Sequence, residues 1–172
     1  MRRIHVHGAG RRGTRAWPGA DPATGVFVEF PDGSTIAEQT RLLEERAAGS
    51  PVVHAHSLGA VPAVLAAQRI PVAGLVLVEP ALYDIARGHA AIERHIAIVS
   101  EARSQADAGD LRSFWAMLRP LMFGGPFDES TWEAERTLAE RWSTTNLPWG
   151  HGVRERMLHG IPTLVVTGGW ND

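Results

Sequence analysis

Apolar positions fall into two alternating rhythms in the first half of the chain and into a single rhythm beyond residue 80. Short β-branched runs lie at residues 3–7, 25–30, 51–56 and 72–78, and the last is nearly unbroken. Runs of this kind suit parallel strands covered on both faces. Between them the period lengthens. Thr35-x-x-Glu38 is a capping box, and Ile36, Leu43 and Ala47 follow it at helical spacing, with Gly49 and Pro51 as the stop. Leu58 to Arg69 reads as a second helix. The order β-α-β-α-β predicts an α/β fold with a mostly parallel, doubly wound sheet.

After Glu79-Pro80 the alternation ends. Ile85, His89, Ile92, Ile96 and Val99 share one helical face. Asp110 caps a predicted helix carrying Leu111, Phe114, Trp115 and Leu118 and ended by Pro120. Ser130-x-x-Glu133 opens another, with Trp132, Leu138 and Trp142. Strand character returns at 161–167. The pattern predicts a core of 1–81 and 151–172, interrupted by a helical insertion over 82–150.

Composition narrows the setting. The 172 residues are 44% hydrophobic, 21% charged and free of cysteine, with net charge −2. One domain with a sizeable core is expected. The charge gives no case for nucleic acid or an anionic membrane, and disulfides and thiolate metal sites are excluded. No leader-like or membrane-spanning run is seen, so a soluble, cytoplasmic protein is expected.

The candidate chemistry centres on the junction Val53-His54-Ala55-His56-Ser57-Leu58-Gly59. A serine between a buried strand and a helix sits in a sharp, strained turn, and its neighbours two positions away, Ala55 and Gly59, are small. The bland alternative is an ordinary helix-capping serine. The motif is G-x-S-x-G with Ala in the first place, and here the chain resembles the α/β-hydrolase family. His7-Gly8-Ala9-Gly10 resembles that family's oxyanion loop. The resemblance implies a Ser57 nucleophile, oxyanion donors on Leu58 and Ala9, and a helical cap in the insertion. It also implies a triad acid, Asp172 after the last strand or Glu79 after the fourth. The reaction implied is cleavage of an ester or similar bond in a small apolar substrate through an acyl-enzyme, with no cofactor and no metal. The family's first strands, and the further strand and loop that carry its catalytic histidine, have no counterpart here. His159 precedes its strand and so falls at the wrong end of the sheet, and His56 is expected to point differently from Ser57. His89, His95 and His151 are more simply structural, with His151 the first candidate should a base lie within these residues. Impaired catalysis is therefore expected, and a catalytically silent, hydrolase-like binding protein is the alternative.

Two other readings arise from the glycines and histidines. Gly8-x-Gly10-x-x-Gly13 with Glu29 also fits a dinucleotide fingerprint, but Pro18, Gly19, Pro22 and Gly25 leave no room for the helix it needs. His5/His7 and His54/His56, at i, i+2 spacing, could meet on neighbouring strands around a metal, yet no carboxylate accompanies them. Trp115, Trp132, Trp142 and Trp149 either form the insertion's own core or line a pocket over Ser57. The strand at 163–167 is expected at a sheet edge, where self-association is possible.

Overall fold

The computed structural model describes residues 2–168. Its sheet is five-stranded and parallel throughout, in the order β2-β1-β3-β4-β5. The strands are β1 (Arg3–Val6), β2 (Gly25–Val28), β3 (Val52–His56), β4 (Gly74–Val78) and β5 (Thr163–Val166). Each is shorter than the apolar run that announces it. Helix α1 (Ile36–Arg46) starts on the expected box: Thr35 Oγ1 accepts from the Glu38 N–H, and the Glu38 carboxylate accepts from the Thr35 N–H. The second helix is shorter than expected. Ser57–Gly59 forms a 3-10 turn, and α2 runs only Ala60–Ala66.

Strand pleating divides the sheet into two unlike faces. The row Val26, Ile4, Val53, Leu75 packs with Leu43, Val61, Ala63 and Val64 of α1 and α2 into the main apolar core. The opposite row reads Phe27, His5, His54, Val76, Leu164. Its aromatic half lies against Trp17 of the loop after β1.

By its internal packing the chain divides into two compact units. One holds the chain up to Ile85 and from Asn146 onward, and the other is Ala86–Thr145. The second unit is helical: α3 (Ala90–Asp107), α4 (Leu111–Phe123) and α5 (Trp132–Ser143). Phe114, Trp115, Leu118 and Trp132 are buried in it. The Trp115 indole donates to Glu135 at 2.6 Å, and Arg119 pairs with the same carboxylate at 3.1 Å.

Two helix boundaries correct the sequence reading. Pro120 does not end α4, which continues to Phe123. Proline forfeits its own N–H bond and crowds the carbonyl four residues back, but its own carbonyl can still accept. The turn beyond it is held by the Gly124 N–H on the Pro120 carbonyl and by Arg119 on the Gly124 carbonyl. Ser130 does not cap α5. Asp128 accepts from the Ser130 N–H at 2.9 Å and opens a 3-10 turn, Glu129–Thr131, from which α5 starts at Trp132.

Strand β5 ends the described sheet and is exposed throughout, with Leu164 58% and Val165 53% accessible. The residues from Thr163 to Val166 carry no charge to deter pairing. Self-association through this edge is our proposal. It predicts a concentration-dependent rise in mass by light scattering that Val165→Lys suppresses, and a stable monomer at high concentration would remove it.

Candidate functional site

Ser57 follows the last residue of β3 and has φ 51°, the left-handed region that a residue with a Cβ enters at a cost of roughly 1–2 kcal/mol. Serine as a residue type does not favour this conformation. It is imposed by a strand that must turn at once into the Ser57–Gly59 turn. The residue is half-buried.

Two glycines bring the loop after β1 against this turn. A Cβ on Gly59 would collide with the His7 carbonyl oxygen and come within 3.0 Å of Val6 Cγ1. Gly59 has φ −61°, so it is needed for space and not for its dihedral freedom. A Cβ on Gly8 would lie 2.9 Å from Ser57 Cβ and 3.1 Å from His56 Nδ1. Gly10 differs: it is exposed and a Cβ there meets nothing within 4 Å. Of the loop His7-Gly8-Ala9-Gly10, the structure therefore presses Gly8 onto Ser57. Leu58 is buried and Ala9 half-buried beside them.

His7 is held on both ring nitrogens. Nδ1 lies 2.6 Å from the Gly8 carbonyl oxygen, and Nε2 accepts from the Phe30 N–H at 3.3 Å. Burial lowers its pKa, and Arg12 adds to this, while the Gly8 carbonyl and Glu29 pull the other way. Phe30 packs against the ring at 5.1 Å.

Glu79 follows the last residue of β4, beside β3, and also has a positive φ, 46°. Its N–H donates to the Val166 carbonyl at 2.8 Å, and its carboxylate accepts from the Gly168 N–H. The Ala81 N–H reaches the Ser57 carbonyl at 3.1 Å. Ser57 and Glu79 are thus left-handed residues at the C-terminal ends of adjacent strands, the end where open α/β sheets bind ligands. Burial depresses the His56 pKa, and Glu79 partly offsets it. Asp172, the other acid named from sequence, lies outside the described residues.

His5, His54 and His151 are engaged elsewhere. His5 stacks on Phe27 at 4.6 Å and meets His54 in a tilted contact at 4.9 Å. Among the described residues, no group of three or more His, Asp or Glu is placed to hold a metal ion. His151 Nε2 lies 2.8 Å from the Leu147 carbonyl, an acceptor only, so that nitrogen carries the proton. His89 precedes α3, His95 lies within it, and His159 follows the 3-10 turn Glu155–Leu158. The glycine fingerprint opens no α-helix. Gly13–Ala16 is a 3-10 turn, and the Glu29 carboxylate sits where a Gly13 Cβ would be.

One residue was not singled out from sequence. Asp84 accepts backbone N–H bonds from Gly150 (2.7 Å), His151 (2.9 Å) and Val153 (3.2 Å). Burial pushes its carboxyl up, but these bonds outweigh it and hold the pKa low. Tyr83 stacks on Trp149 alongside. Trp149 therefore belongs to this tie, whereas Trp115 and Trp132 fill the helical unit's own core.

Among the described residues, no helix is long and apolar enough to cross a membrane. No curated protein matches the sequence. A crystal structure of an alpha/beta hydrolase from Sphaerobacter thermophilus DSM 20745 is similar in fold, with TM-score 0.57 and 17% identity, over 98% of this chain and 74% of that one. The profile of the alpha/beta hydrolase family matches residues 4–171. With an all-parallel sheet and a left-handed serine between β3 and α2, this chain belongs to the alpha/beta hydrolase family.

Proposed function

We propose that the chain is a serine hydrolase acting on an ester or similar bond of a small apolar substrate. The observation that carries this reading is Ser57, held at φ 51° at the end of β3 with Gly8 packed on its Cβ. In the proposed reaction Ser57 Oγ attacks the carbonyl carbon and its proton passes to a base. The carbonyl oxygen becomes an oxyanion that accepts from the Leu58 and Ala9 N–H groups. Collapse expels the alcohol, which takes up a proton, and water then frees the acid from Ser57. Glu79 and Asp172 are the two candidate acids for orienting the base. The helical unit Ala86–Thr145 is the candidate cap.

A second reading, a catalytically silent binding protein, is favoured by the histidines. His7 is tied to Gly8 and Phe30, His151 to Leu147, and His5 to its stack, which supports the view that the base is weak or missing. Labelling with a fluorophosphonate probe separates the two. The hydrolase reading expects a label that maps to Ser57 and disappears in Ser57→Ala, with slow p-nitrophenyl ester turnover. Oxyanion donors and binding alone leave roughly 10³–10⁴-fold acceleration over water. Equal labelling of wild type and Ser57→Ala removes the hydrolase reading. Reversible binding of the ester with neither label nor turnover establishes the second.

A further inference from the structure

We infer that His7 is a positioning residue for the Ala9 donor, acting through a ring tautomer that the Phe30 amide selects. The inference rests on the reading of Ser57 as nucleophile and Ala9 as oxyanion donor. The Phe30 N–H can only donate, so the Nε2 it meets at 3.3 Å must present a lone pair. A neutral imidazole then carries its proton on Nδ1, and Nδ1 faces the Gly8 carbonyl, which can only accept, at 2.6 Å. Both contacts are satisfied by one tautomer. The other tautomer would set a lone pair against the Gly8 oxygen and leave the buried Phe30 N–H facing a second N–H.

The consequence falls on the next peptide. The described chain has no cis bonds, so the Gly8 carbonyl and the Ala9 N–H point in opposite directions across one planar unit. Fixing the carbonyl fixes the amide. Gly8, pressed against Ser57 Cβ, supplies the other restraint on that unit. An oxyanion donor is useful only when it is aimed before charge develops. The chain spends a buried histidine, 6% exposed, on holding a carbonyl that has no catalytic task of its own. Burial lowers the ring pKa and Arg12 lowers it further, while the Gly8 carbonyl and then Glu29 raise it, and the net shift is downward.

Two substitutions split the ring's functions. His7→Asn keeps an N–H near the Nδ1 position and loses the acceptor for Phe30. His7→Gln places its amide near the Nε2 position, keeps that acceptor and loses the donor to Gly8. Phosphonylation of Ser57 by a fluorophosphonate forms an Oγ–P bond, releases fluoride and loses the hydroxyl proton, and it builds negative charge on the oxygen that the donors would hold. His7→Gln should lower the maximal labelling rate about 10²–10³-fold, the scale of a lost oxyanion donor, with the half-saturating probe concentration unchanged. His7→Asn should stay within about tenfold of wild type on the same scale. Equal rates for the two variants, with wild type labelled at Ser57, overturn the inference alone. Absence of any Ser57 label in the wild type overturns the underlying reading instead. Nitrogen-15 NMR of the wild-type imidazoles tests the tautomer without any variant: a His7 ring protonated on Nδ1 is expected at pH 7, and one protonated on Nε2 overturns the inference.

Discussion

Lowering the pH from 7 to 4 should remove on the order of 3 kcal/mol of folding stability through His5 alone. The ring is 5% exposed, and its pKa is lowered from 6.5 to about 4. Burial is the largest cause, followed by His54 and then Arg3. Its Nδ1 has no hydrogen-bond partner among the described residues, so nothing at that atom rewards protonation. The sign follows from where protons bind. Between pH 6.5 and 4 the unfolded chain protonates this histidine and the folded chain does not, so acid favours unfolding. The contribution is complete above pH 6.5, falls as the pH drops, and is lost near pH 4. His54 is shifted the same way, by burial and then by Arg3, and adds to the slope. Asp84 and the other carboxylates held low by hydrogen bonds join the decline from about pH 5 downward, where the unfolded carboxyls begin to bind protons. Urea midpoints at pH 7, 5.5 and 4 measure the effect. His5→Phe, which preserves the stack on Phe27, should flatten the decline between pH 6.5 and 4. Equal slopes in both proteins would show that His5 is not the group responsible.

The histidine pair also shows where sequence reading stops. Spacing of i, i+2 puts His5 with His7, and His54 with His56, on one face of each strand, which any pleated strand guarantees. That His5 lies opposite His54 depends on register between strands far apart in the chain, and no local pattern encodes it. The distinction between a ligand cluster and an aromatic stack is made by that register together with Phe27 and Trp17. Asp84 was missed for a related reason. Its partners are backbone N–H groups of Gly150, His151 and Val153, and backbone groups have no sequence signature. Arg103 repeats the case in the helical unit, donating to the Ser143 and Thr145 carbonyls.

Features whose partners are close in sequence were legible. The Thr35/Glu38 box closes within one turn of chain and forms as written. The parallel sheet was legible because short apolar runs alternate with helices from β2 through α1, β3 and α2 to β4, an arrangement few topologies satisfy. Helix ends were less so. Pro120 and Ser130 carry signals that are real but outbid, the first by a turn that Arg119 completes and the second by Asp128 two residues earlier. At the candidate site, the strained turn at Ser57 was legible from its small neighbours. What could not be read was which glycine of the loop touches it, because Gly8 and Gly10 are equivalent as letters and unlike in their surroundings.

That difference gives the second large expected effect. Gly59→Ala should cost about 3 kcal/mol, at the upper end of the usual cost of overpacking. In a chain of this length that lowers the melting temperature by roughly 6–12 °C. The obstacles decide the size. The new methyl would meet the His7 carbonyl oxygen, with the His7 carbonyl carbon at 3.1 Å and Val6 Cγ1 at 3.0 Å. The first two are backbone atoms next to a strand paired on both sides, and they cannot swing away as a side-chain end could. Relief requires β1 and the Ser57 turn to separate, which would also draw the Gly8–Ala9 peptide away from Ser57. The loss of stability should therefore be accompanied by slower phosphonylation of Ser57. Gly8→Ala should behave similarly but more mildly, since its methyl meets Ser57 Cβ at 2.9 Å as the nearest atom. Gly10→Ala is the control: with open space around it, its stability should stay within about 0.5 kcal/mol of wild type. Thermal melts of the three variants, with labelling rates measured well below each melting temperature, read both consequences. A Gly59→Ala protein that melts and labels like Gly10→Ala would mean that the loop after β1 does not press on the serine turn, and the oxyanion role proposed for Ala9 would lose its geometric basis.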